Sequence, residues 1–123
     1  YSPAKTYYQN KLALLMLSLY MRKHWKGIKV QAIRVTNVKV DMRRYDHLST
    51  FMKNLYKIKS RFSISPEEMA KVYTALSTED GYDGFLYDEK CREVKANRFA
   101  YEEAEQAKLY SLLEQLTFSR DNL

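Results

Sequence analysis

The chain has 123 residues, 46% of them hydrophobic, which suits a single domain and leaves no room for two. No run approaches the 18 or so apolar residues of a membrane-spanning helix, and the lone Cys91 excludes an internal disulfide framework and fits a reducing compartment. The net charge of +6 is uneven: residues 1–61 carry +12 and residues 62–123 carry −6.

Ser2-Pro3 reads as a helix start, with Ser2 as N-cap and Pro3 in the first helical position. The helix should run to about Lys23 or Trp25, ended by Lys26-Gly27. Leu12, Leu15, Met16 and Leu19 follow the helical period, and Leu14, Leu17 and Met21 widen the stripe. Its longest apolar stretch, Leu12 to Tyr20, is interrupted by Ser18 and lacks the flanks of a signal peptide. A helix this apolar is expected to be packed on two sides.

Ile28, Val30, Ile33, Val35, Thr36, Val38 and Val40 make a β-branched run, read as a buried strand followed by a shorter extended piece. A basic, irregular stretch from Asp41 to Asp46 follows. The next helix is expected from about His47 to Ile58, with Leu48, Phe51, Met52, Leu55 and Tyr56 on one face and lysines on the other. Ser65-Pro66-Glu67-Glu68 carries the sequence of a capping box and opens a third helix through Met69, Val72, Tyr73 and Leu76. Gly81 and Gly84 bracket a turn, Phe85-Leu86-Tyr87 is a short strand, and Lys90 to Asn97 reads as loop. The last helix is expected over Tyr101 to Leu116, with Ala104, Leu109, Leu112, Leu113 and Leu116 on its apolar face.

The order helix-strand-helix-helix-strand-helix is that of an α/β protein, and its strand–helix–strand unit favours parallel pairing with a right-handed crossover. Two parallel strands are too few for a free-standing sheet. The chain also opens on Tyr1 rather than Met. We therefore expect a segment of a longer chain, its partner strands lying upstream.

Tyr7 and Lys11 stand one helical turn apart near the start of the first helix. Composition alone gives about one such spacing in a chain so rich in Tyr and Lys, so the weight falls on what surrounds it. Tyr7-Tyr8-Gln9-Asn10-Lys11-Leu12-Ala13 resembles the active-site helix of the short-chain dehydrogenase/reductase family. Ile28-Lys29-Val30-Gln31-Ala32-Ile33 is similar to that family's sixth strand. Asp83-Gly84-Phe85-Leu86-Tyr87, with the helix ending Leu112-Leu113-Glu114-Gln115-Leu116-Thr117, resembles its retinol-dehydrogenase-like branch. The likeness covers roughly residues 1–117, and it is carried by the order of elements more than by any one motif.

The resemblance implies that residues 1–123 are the carboxyl-terminal portion of a doubly wound parallel (Rossmann-type) sheet. The glycine-rich cofactor turn would lie upstream of Tyr1, since three glycines cannot build one here. It implies an oxidoreductase that interconverts a lipophilic alcohol and carbonyl with NADP or NAD. Tyr7 would donate or accept the proton, and Lys11 would both stabilise the phenolate and bind the nicotinamide ribose. An ordinary tyrosine ionises near pH 10, so working near pH 7 requires about 4 kcal/mol of phenolate stabilisation. A neighbouring ammonium and the positive helix terminus act in that direction.

Val35, Thr36 and Val38 fall where the family lines the cofactor. The usual Pro-Gly is replaced by Val35-Thr36, and Val40 stands where a threonine is expected. The implied partners are a lipophilic small molecule, the missing amino-terminal half of the same domain and a possible membrane surface. Met42, Phe51, Met52, Leu55 and Tyr56 fall where the family's variable substrate-loop helices occur. They could line an apolar substrate channel or touch a membrane beside Lys53, Lys57, Lys59 and Arg61, while the plainer reading, an amphipathic helix covering the core, is favoured. The implied place is the cytosol, or the cytosolic face of an endoplasmic reticulum or lipid-droplet membrane. His24, His47 and Cys91 are too isolated for a metal site.

A different class remains open. The basic half attracts phosphate, so Arg22, Lys23, Lys26, Arg43, Arg44, Lys57 and Lys59 could serve a small helical nucleic-acid-binding or structural protein without catalysis. The acidic second half and the lack of a nucleic-acid motif oppose it.

Overall fold

Helix α1, Pro3–His24, starts where its first orphan amides find partners. Ser2 Oγ accepts from the Lys5 amide at 3.5 Å, and Pro3 has no amide to satisfy. It stops at Trp25, whose amide donates to Met21 O at 2.8 Å, and Gly27 then takes a φ of +78° to turn the chain. The computed structural model describes residues 1–35, 38, 39, 47 and 49–121.

The remaining elements in order are β1 (Ala32–Ile33), α2 (Thr50–Ser60), α3 (Pro66–Thr78), β2 (Leu86–Tyr87), β3 (Glu93–Val94), a 3₁₀ turn (Arg98–Tyr101) and α4 (Glu103–Asp121). The fold is α/β, with a small mixed sheet in the order β1-β2-β3. β1 and β2 are parallel: the Ala32 amide donates to Phe85 O and the Arg34 amide to Tyr87 O, each at 2.8 Å.

β3 stands inside the stretch read as loop. It forms because Asp88 to Arg92 is a hairpin turn. Cys91 N donates to Asp88 O at 3.1 Å, Asp88 N donates to Arg92 O at 3.0 Å, and Cys91 takes a φ of +55°. That position normally calls for glycine.

Contacts divide the chain into two compact units. The first comprises residues 1–32, 84–86 and 93–123. In it α1 packs on α4 and on the 3₁₀ turn, burying Met16, Phe85, Leu86, Ala100 and Gln106. Tyr20 stacks on His24 and on Tyr110, with centroids 4.1 and 4.3 Å apart. Arg22 Nη1 donates to Val30 O at 2.9 Å and to Gly84 O at 3.0 Å.

The expected packing of α1 on two sides is not met within this unit. Only Met16 is buried on α1, while Leu14 is exposed. The leucine face assigned to α4 is likewise open at Leu112, Leu113 and Leu116. α4 instead buries Gln106, whose Nε2 donates to Ala100 O at 2.7 Å. α4 also begins later than expected, because Tyr101 belongs to the 3₁₀ turn and its hydroxyl accepts from the Ala96 amide at 3.0 Å.

The second unit comprises residues 33–83 and 87–92. Its core is Met69, Val72 and Leu76 of α3 with Tyr87, and Ile33, Val38, Ile64, Tyr82 and Cys91 pack against it. Of the strand and shorter extended piece expected over Ile28 to Val40, the described residues show the two-residue, half-buried β1 and a parallel bridge between Val38 and Ile64.

The capping box forms as expected. Glu68 N donates to Ser65 Oγ at 3.1 Å, and Ser65 N donates to Glu68 Oε2 at 3.0 Å. Ser65→Ala removes one arm of this exchange and should destabilise the protein by about 1 kcal/mol in urea unfolding. α2 starts at Thr50 rather than His47, because Ser49 caps it through the Met52 amide at 3.4 Å. Leu48 lies outside the described residues.

Candidate active site

Residues four apart on a helix share a face, and α1 places Tyr7, Lys11, Leu14 and Ser18 on one such line. Residues Gln9, Leu12, Ala13 and Met16 lie on the other side of α1. There they form a cleft of about 410 Å³ with Glu105, Lys108, Leu109 and Leu112 of α4. Tyr7 and Lys11 therefore occupy the face of α1 turned from α4, and both are exposed. Lys11 Nζ lies 5.5 Å from the Tyr7 ring centroid, over the face of the ring. The Tyr8 ring meets Tyr7 edge-on at 5.6 Å.

No acidic residue stands in the first turn of α1. The positive end of the helix is thus unneutralised locally, and Tyr7 sits within two turns of it. An accessible phenol and an exposed ammonium therefore stand together near the helix amino terminus.

The other expected site residues belong to the second unit. Val35 is exposed just beyond β1. Val38 turns its side chain onto the α3 core, and its bridge partner Ile64 accepts from the Lys39 amide at 3.0 Å. The Val38 side chain is partly buried there. Thr36 and Val40 lie outside the described residues, as do Met42, Arg43 and Arg44.

Asp88 was missed from the sequence. It is 1% exposed, and its carboxylate accepts from the amides of Lys90 and Arg92 at 2.9 and 3.0 Å. Arg92 Nε and Nη2 also donate to it, each at 2.9 Å. Burial pushes the carboxyl up, but the bonds from the Arg92 and Lys90 amides and the Arg92 guanidinium outweigh this and hold it below the usual aspartate range. The available signal was an acid four residues before an arginine, with no glycine to mark the turn. Asp88 shapes the hairpin.

A second cleft of about 410 Å³ lies in the first unit over Phe85, Leu86 and Val94, edged by Lys95, Arg98 and Tyr101. Among the described residues, no group of three or more His, Cys, Asp or Glu is placed to hold a metal. No helix among them is long and apolar enough to cross a membrane.

Two of the cations offered to nucleic acid are engaged inside the first unit. Arg22 holds the Val30 and Gly84 carbonyls, and Lys23 Nζ lies 2.5 Å from Glu103 Oε2. The hydrogen bond and charge of Lys23 hold the Glu103 carboxyl below its ordinary value. Compared with protein-family models, curated proteins and solved structures, the chain matches none.

Proposed function

We propose that the chain is the carboxyl-terminal part of an NAD(P)-dependent oxidoreductase of the short-chain dehydrogenase/reductase kind, acting on a lipophilic alcohol or carbonyl. The observation that carries this reading is the Tyr7–Lys11 pair. It is exposed on the face of α1 turned from α4, and α1 is followed in the chain by the parallel strands β1 and β2. In this reading β1 and β2 are the last two strands of a doubly wound sheet, whose earlier strands would add along the free edge of β1. The antiparallel β3 suits the far edge, since otherwise parallel sheets often carry such a strand.

In this reading the chain contributes to binding one end of a dinucleotide. Lys11 offers an ammonium with three donors to ribose hydroxyls, and Val35, Thr36 and Val38 are the positions that the family resemblance gives to the nicotinamide end. When bound, that ring supplies or accepts the hydride. The chain's own share is the proton: the Tyr7 hydroxyl gives it to the carbonyl oxygen in reduction and takes it from the alcohol in oxidation. Lys11 then balances the charge left on the phenolate. The pyrophosphate has no glycine-rich turn in this chain.

The test is made on the parent chain containing this segment. NADPH-dependent or NADH-dependent reduction of a long-chain aldehyde is expected. Lys11→Met should lower kcat and raise the KM for the dinucleotide, together by about 10–100-fold in kcat/KM, because it removes charge-assisted hydrogen bonds. Parent chain that turns over neither nucleotide with any aldehyde or alcohol in the panel removes the proposal.

A further inference from the structure

We propose that α2 is a membrane-surface helix that docks this protein on an anionic lipid bilayer. The observation is the way the helix is mounted. Phe51, Leu55, Ile58 and Phe62 recur at i, i+4, i+7 and i+11, and so form one stripe. Their exposures are 70%, 46%, 59% and 83%, and α2 buries no residue at all. The half-buried positions are Lys53, Tyr56 and Ser60, which lie on the opposite side. The helix thus turns its polar side inward and its apolar side to solvent. For an ordinary helix covering a core the arrangement would be reversed.

Charge identifies the occupant. Lys53, Lys57, Lys59 and Arg61 belong to α2 and its C-cap, and no acidic residue occurs between Asp46 and Glu67. Lys59 and Arg61 flank the stripe on its two sides. Their aliphatic stems can lie along an apolar boundary while the charged ends reach anionic headgroups. A short helix with an aromatic and aliphatic stripe, a basic polar face and low overall hydrophobicity is the pattern of interfacial helices, which lie in the headgroup boundary without spanning the bilayer. A protein groove would accept the stripe too, but it gives no reason for an uninterrupted basic surround.

The proposal is independent of the oxidoreductase reading, because the assay reads no turnover. The full chain is sedimented with phosphatidylcholine vesicles, and with vesicles in which about 30% of the lipid is phosphatidylserine. Binding is expected to the second and to be at least about tenfold weaker to the first, and to fall as salt is raised from about 0.1 M to 0.5 M. Lys59→Gln with Arg61→Gln should weaken binding about 25-fold, at roughly fivefold per basic residue beside an anionic surface. Ile58→Ser with Phe62→Ser should abolish it. Both pairs change exposed positions, and unchanged melting curves separate lost docking from lost folding. If a variant does unfold, the lipid and salt dependence of the unaltered chain still decides.

Equal binding to both vesicles, or none to either, overturns the proposal. So does a dimer in solution that Ile58→Ser with Phe62→Ser dissociates, for then the stripe meets a second copy.

Discussion

Tyr7→Phe is expected to lower kcat of the proposed parent oxidoreductase by about 10²–10⁴-fold, the usual worth of a positioned proton donor. The change removes one hydroxyl and keeps the ring. The ring's contacts, edge-on to Tyr8 and beneath Lys11 Nζ, are therefore preserved. Since Tyr7 is exposed at 57%, the melting temperature should move by no more than a degree or two. KM for the dinucleotide should change little, because the hydroxyl acts on the substrate oxygen. This separates Tyr7→Phe from Lys11→Met, which should move both kcat and the KM for the dinucleotide. Full activity in Tyr7→Phe would remove Tyr7 from the chemistry, whatever the chain's family.

The spacing of Tyr7 and Lys11 was legible because a helix makes i and i+4 neighbours by geometry alone. The helix starts were legible for a related reason. Ser2-Pro3 and Ser65 to Glu68 satisfy orphan amides within four residues, so no distant contact has to be known.

What failed depended on distant or unusual partners. The β-branched run from Ile28 to Val40 has the propensity for a buried strand and a shorter extended piece. Among the described residues the strand itself is short and half-buried, Ala32 to Ile33 beside β2, while Val38 pairs with Ile64. β3 was hidden because its turn relies on a buried carboxylate and on Cys91 in a left-handed conformation, where glycine would have announced it.

α2 shows a different limit. Its period revealed the stripe of Phe51, Leu55 and Ile58, but periodicity says only that a helix has two sides. It does not say which side meets the protein. The sequence favoured covering the core, and the mounting found is the opposite. The two proposals thereby connect through the substrate. An oxidoreductase for lipophilic alcohols gains from lying where such molecules are dissolved. Vesicles should then lower the apparent KM for a long-chain aldehyde without changing kcat, and they should do so only while the stripe is intact.

Asp88→Ala is expected to lower the melting temperature at pH 7 by about 10 °C. Four bonds converge on this one buried carboxylate, two from backbone amides and two from the Arg92 guanidinium. Removing it leaves the amides of Lys90 and Arg92 without their acceptor, and Cys91 keeps a backbone conformation that few side chains favour. The turn then loses what fixes β3 beside β2.

The effect should depend on pH in a definite direction. Folded Asp88 is held below its ordinary value, whereas the unfolded chain titrates near 3.9. The folded protein thus binds its proton less readily than the unfolded one. Its contribution is complete above about pH 5 and fades as pH falls through the unfolded value and then the folded one. Melting curves of the two proteins should be well separated at pH 7 and should converge toward about pH 2. Asp88→Asn keeps an oxygen for the amides but loses the charge facing Arg92. It should melt between the two at pH 7 and show less of the acid dependence. If Asp88→Asn matched the unaltered chain at every pH, the amide bonds alone would hold the hairpin, and the Arg92 pair would contribute nothing.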